Sequence, residues 1–137
     1  MTVKITGTPF DEIVPGLQKA LDGALANTLN LQQGALGKAN PKDTGRMSSS
    51  WFIGQNQPRR DTRPENWGEP NEQRLEIEKY NQKIKFEGEW YISNNVPYAI
   101  YTALEYKPSA KAQKDWYTSI ANRTGQVFVK QFNKLKP

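Results

Sequence analysis

The sequence predicts an α+β fold, with helical patterns at both ends, strand patterns between them, and a long irregular Arg/Pro/Trp loop. Three observations predict it. Apolar residues recur at spacings of three and four over residues 10–37 and again over 110–135, which is the helical period. Residues 83–93 alternate, with Ile84, Phe86, Gly88, Trp90 and Ile92 set against Lys85, Glu87, Glu89, Tyr91 and Ser93, the period of a half-buried strand. Between these patterns lies Asn40–Gly54, where Pro41 stops a helix and Asp43 and Gly45 supply turn chemistry, so this run reads as helix stop, tight corner and first strand.

Taken in order, residues 1–9 alternate polar and apolar and end in Thr8-Pro9; an edge strand and an arm that pairs with a neighbouring subunit both fit. The first helix carries Phe10, Ile13, Val14, Leu17, Leu21, Ala24, Leu25, Thr28 and Leu31 on one stripe, expected to face the core. Pro15 is compatible with a first helical turn, and Gly34 and Gly37 read as a frayed C-terminal end. Residues 49–55 read as a strand with apolar content on both faces, Trp51 and Ile53 against Phe52.

Residues 56–73 have neither period and hold three prolines, three arginines and one tryptophan. A structureless stretch of this length in a compact domain is usually functional or disordered, and Arg and Trp are the residues that most often anchor interfaces. Arg59, Arg60, Arg63 and Trp67 in the loop, with Arg46 at the corner, are the candidate subunit or partner-interface residues; Trp67→Ala is expected to weaken assembly without unfolding the monomer. A short helix is expected over 71–82, although Leu75 and Ile77 also fit alternation. Gly88 marks a bulge or hairpin turn in the 83–93 strand. Asn94–Pro97 reads as a turn, 98–106 as a short helix closed by Lys107-Pro108-Ser109, and 110–135 as the last helix with Gly125 as its weak point.

The 137 residues suggest one domain, 1–137, with a modest core: 36% of residues are hydrophobic and mean hydropathy is −0.83. No apolar run approaches the ~20 residues of a membrane helix, and Met1–Thr6 lacks the apolar core of a secretion signal. The absence of Cys and His removes disulfides, thiol nucleophiles, the usual zinc ligands and the commonest general base. No catalytic residue, cofactor or metal is expected; an enzyme would have to rely on Lys, Glu or Tyr. Net charge is +5, and from Lys107 onward seven basic groups face one acidic group, a balance of +6, against −1 for the remainder. This segment could meet nucleic acid or an acidic protein surface, or be a solvated helix face.

At Pro41-Lys42-Asp43-Thr44-Gly45-Arg46-Met47-Ser48-Ser49-Ser50-Trp51 the chain resembles a family of tailed-bacteriophage head–tail joining proteins, the small neck or tail-completion proteins. In that family a Pro-x-Asp-Thr-Gly-x-Leu-x-x-Ser corner leads from a long helix into the sheet. A second block, Trp90-Tyr91-Ile92-Ser93-Asn94-Asn95-Val96-Pro97-Tyr98-Ala99, is similar to the family's strand, Asn-Asn turn and Pro-Tyr-Ala helix start, and Leu104-Glu105-Tyr106 to its continuation. Lys107 stands where the family has glycine, and 112–116 lack the family's Pro and Gly. The resemblance implies a small, mostly antiparallel sheet packed against long helices. It also implies a structural role in the virion: a homo-oligomeric ring, six-fold with twelve-fold open, assembled in the host cytoplasm. Such a ring would join the portal or its adaptor to the tail terminator or tail tube. Its lumen could contact passing DNA non-specifically, and no membrane is involved. A small basic nucleic-acid-binding protein is the alternative.

Overall fold

A computed structural model describes residues 1–7, 16–105 and 115–137. Among these, strand β1 (Thr2–Gly7) is followed by helix α1 (Leu17–Ala39), β2 (Phe52–Gln55), β3 (Gly88–Ser93), a π-helical turn (Tyr101–Glu105), α2 (Trp116–Asn122) and α3 (Thr124–Leu135). The expected α+β architecture is what forms, a three-stranded antiparallel sheet with α1 inserted between its first two strands and the remaining helices after its last. β3 lies in the centre, paired with β1 on one side and β2 on the other. The N-terminal segment is thus an edge strand of its own sheet.

Register explains the core. Val3, Ile92 and Ile53 stand in one cross-strand row, and Ile5, Trp90 and Gln55 in another. With period two, these side chains share a face, and Val3, Trp90, Ile92 and Ile53 are buried. Trp51 sits at the centre, edge-on to Trp116 at 6.2 Å and stacked on Tyr117 at 5.9 Å between centroids. Such aromatic pairs add to simple area burial. The Tyr117 hydroxyl donates to the Thr2 carbonyl at 3.0 Å, tying α2 to the edge strand, and burial raises its pKa.

Several elements differ from the sequence reading. In α1, Leu17 to Thr28 follow the expected stripe, but Leu31 is 51% exposed while Gln32 and Gln33 are buried. Leu29, Gln32, Gln33 and Leu36 continue the inward face, because the carboxamides find tertiary acceptors. Gln32 donates to the Ile120 carbonyl and Thr124 hydroxyl, and Gln33 to the carbonyls of Trp51 and Glu78. Gly34 and Gly37 are not a frayed end: the helix runs on to Ala39 and the Asn40 N–H closes it on Leu36. Gly37 permits a close crossing instead, since a Cβ there would lie 2.7 Å from the Ile77 side chain and 3.0 Å from the Ser48 carbonyl.

The strand expected over 49–55 is β2, and it begins at Phe52 rather than 49, because Ser49 and Ser50 are still folding back on Gly45 and Met47. β3 begins at Gly88, so Ile84 and Phe86 precede it but still pack on the core. No helix forms over 71–82; the irregular segment runs from 56 to 87, beyond the expected 56–73. Its donors are satisfied elsewhere, with Gln73 N–H on the Asp43 carbonyl and Arg74 N–H on that of Thr44. The last helix breaks at Arg123, which caps both α2 and α3, two residues before Gly125. Phe10, Ile13, Val14, Pro15, the stop at 107–109 and the start of the last helix at 110 lie outside the described residues.

Candidate interaction surface

The corner between α1 and β2 is a buried polar cluster. Asn40, Ser48, Ser49, Ser50 and Asn94 are all buried, and buried polar groups must find partners. They do. The Trp51 indole donates to Asn40 Oδ1 at 3.0 Å, and Asn94 Nδ2 to the Met47 carbonyl at 2.8 Å. Ser48 donates to Gly45, Ser49 to Arg74 and Ser50 to Arg46, each at a backbone carbonyl. Two serines also accept: the Glu76 N–H donates to Ser49 Oγ, and the Arg63 N–H to Ser50 Oγ, both at 2.9 Å. The three-serine run thus holds two separated stretches of the long loop.

Gly45 is the narrowest point. Its φ is +91°, and a Cβ would lie 1.9 Å from the Arg74 carbonyl oxygen, so both the backbone conformation and the crossing chain require glycine. Lys42 donates to the Lys38 and Asn40 carbonyls, satisfying the end of α1 as cations do at helix C-termini; desolvation lowers its pKa.

Four of the five candidate interface residues are drawn into this assembly. Arg46 Nε donates to the Arg63 carbonyl at 2.8 Å. Arg63 donates to the Ser49 and Glu76 carbonyls, and its guanidinium lies 4.6 Å from the centroid of Trp67. Arg74 covers the ring at 3.7 Å and donates to the Trp67 carbonyl, while the Trp67 indole donates to Arg74 O. Trp67 is therefore clamped by two cations, a favourable electrostatic arrangement. Arg59 pairs with Asp61 at 2.7 Å and Glu78 at 3.0 Å and lies over Phe52. Its hydrogen bond to Asp61 raises the arginine's pKa and lowers the aspartate's. Arg60 stands apart: it is exposed, and among the described residues its guanidinium makes no hydrogen bond or ion pair.

This accounts for the apolar content on both faces of β2. Ile53 faces the helices, while Phe52 lies beneath the guanidinium groups of Arg59 and Arg63. Sequence reading missed Asn40, Arg74 and the serines as organisers of the loop; the run of three consecutive serines beside a turn glycine was the available signal.

Next to the corner, residues 41–47 and Tyr98, Tyr101 and Thr102 line a cleft of about 510 Å³. Beside it Ile100 and Leu104 are exposed, as are Tyr98 and Tyr101, while Ala99 and Ala103 face inward. These four large side chains form an apolar surface next to a polar rim, the character of an interaction site. Among the described residues no group of His, Cys, Asp or Glu is arranged to hold a metal, and no helix is long and apolar enough to cross a membrane. Comparison with known proteins finds no matching family model, no matching curated protein and no matching solved structure.

Proposed function

We propose that this chain is a non-enzymatic structural subunit of a tailed-phage neck, assembling in the host cytoplasm into a ring that joins the portal or adaptor to the tail. The observation that carries this reading is the union of the two blocks that resemble head–tail joining proteins. They are separated by about forty residues, yet Asn94 of the second donates to Met47 of the first, and both line one cleft. The exposed apolar residues Tyr98, Ile100, Tyr101 and Leu104 belong to this unit. A pre-formed corner carrying such residues suits a protein whose work is contact with neighbouring subunits. Ring formation is heterologous, one surface meeting a different surface on the next copy.

The test is the light-scattering mass of the purified protein at two salt concentrations, with and without duplex DNA. A closed particle of six or twelve 15.6 kDa chains that ignores DNA is the expected result. A monomer that binds DNA stoichiometrically and releases it at high salt would replace this reading with the nucleic-acid-binding one.

A further inference from the structure

Among the described residues, nothing packs on the outer face of α3. Its inner side carries Phe128 and Gln131 inward, with Asn27 Nδ2 of α1 donating to Gln131 Oε1 at 3.4 Å. On the outer side Gln126, Val129, Lys130, Asn133 and Lys134 share one exposed stripe, lined among the described residues by this helical region alone. Val129 is 56% exposed at its centre. From Trp116 to Pro137 there are four cations and no carboxylate side chain.

The opposite character sits elsewhere. Residues 64–72 contain Glu65, Glu69 and Glu72 and no cation, and all three glutamates are exposed. This tip is shaped in advance by two reverse turns, Trp67 N–H to Pro64 and Glu72 N–H to Glu69. It is pinned by Asn71 N–H on Asp43 Oδ1 and by the Arg63–Trp67–Arg74 stack. The neighbouring arginines are already engaged, Arg74 with Glu76 and Arg63 with backbone carbonyls. Exposed Pro64 precedes Glu65, and exposed Pro70 lies between Glu69 and Glu72.

These two surfaces cannot meet within one chain. α3 runs antiparallel to α1: Thr124 lies against Gln32, Gln131 against Asn27 and Leu135 against Gly23. Lys130 and Lys134 therefore lie toward the N-terminal half of α1, whereas the tip rests on Asp43, beyond its C-terminus. Twelve helical residues separate Asn27 from Ala39, roughly 18 Å, which exceeds the screening length of about 8 Å at physiological ionic strength.

We infer that the outer face of α3 docks the 64–72 tip of a second copy of this chain. Lys130 and Lys134 meet Glu65, Glu69 and Glu72 of that copy, and Val129 packs against a tip proline. The contact is head-to-tail, so it propagates from copy to copy and closes into a ring when the rotation permits. It rests on the ring-forming reading and names the surfaces that such a ring would use.

The test uses two charge-reversed full-length chains, E65K/E69K/E72K and K130E/K134E, followed by sedimentation velocity at low and high salt. Circular dichroism first verifies that each retains its fold; both change exposed side chains only. Wild type is expected to self-associate, more weakly as salt rises. Each variant alone should lose association more than tenfold, and an equimolar mixture should recover it, because every reversed tip then meets an oppositely charged face. Rings that form equally well from either variant alone would overturn this inference and leave the neck reading standing. A mixture that stays dissociated would overturn it too. A wild-type chain that remains monomeric throughout would overturn it along with ring formation by the isolated protein. Loss of DNA affinity in K130E/K134E without loss of association would assign the face to nucleic acid instead.

Discussion

The long loop and α3 are opposites. The loop, 56–87, has no regular secondary structure, yet its backbone is held at Asp43, Thr44, Ser49 and Ser50. α3 is a regular twelve-residue helix with one buried residue, Gln131, and an outer face that nothing among the described residues covers. Regularity and fixity are thus separate properties. A helix satisfies its own donors and needs only one packed face. An irregular segment must find a tertiary partner for each buried donor, and this one finds them at the corner.

That contrast can be broken most directly at Gly45. Gly45→Ala drives a methyl group into the Arg74 carbonyl oxygen and forces a side chain into positive φ, so a loss of about 2–4 kcal/mol is expected. Denaturant unfolding measures it. A loss below ~0.5 kcal/mol, the range of neutral surface changes, would mean that the loop does not cross the corner. Ser49→Ala comes next. It strips the Glu76 N–H and Arg74 carbonyl of a shared partner, at a cost of about 1–3 kcal/mol. Limited proteolysis should then cut within 56–87 sooner than in wild type, and an unchanged cleavage pattern would count against the serine clasp.

Trp67→Ala sharpens the comparison at smaller scale. The ring is half-buried between Arg63 and Arg74, so the monomer should stay folded while the 64–72 tip loosens and assembly weakens. A double-mutant cycle with Arg74→Ala should show coupling of about 0.5–1 kcal/mol; additive losses would remove the clamp from the account.

The smallest effect is electrostatic. The hydrogen bond from Arg59 lowers the Asp61 pKa below its usual 3.8. A carboxylate whose pKa is depressed by folding stabilises the protein above the unfolded value and loses that contribution as pH falls through the folded one. Wild type should therefore lose slightly more stability than Asp61→Asn between pH 5 and the folded pKa, about the range where acid protonates carboxylates, with α3 unaffected. Parallel acid-unfolding curves for the two proteins would refute it.

Much of the scaffold was legible in the chain itself. Period two placed Trp90 and Ile92 on the buried side of β3, period 3.6 placed Ala24, Leu25 and Thr28 inward on α1, and Pro41 and Gly45 marked the corner between them. The supposed helix at 71–82 was not legible, because alternating Glu, Arg and Lys suit a solvated helix as well as an extended segment. The deciding groups, Asp43, Thr44 and Ser49, lie some thirty residues away. For the same reason Arg46, Arg63 and Trp67 looked free for partners, whereas folding commits them first to one another and to nearby carbonyls.

By itself, then, the sequence determined the long first helix, the central strand from Gly88 onward and the corner at Pro41–Gly45, since those depend on local periodicity and on the steric limits of proline and glycine. Tertiary structure decided the rest: that Gln32 and Gln33 go inward while Leu31 stays out, and that an unpatterned loop becomes a fixed layer over Phe52. It also set the acidic tip and the basic helix face toward different ends of α1. Those outcomes depend on which hydrogen-bonding groups and charges the fold brings together across long stretches of chain, and no local pattern encodes that distance.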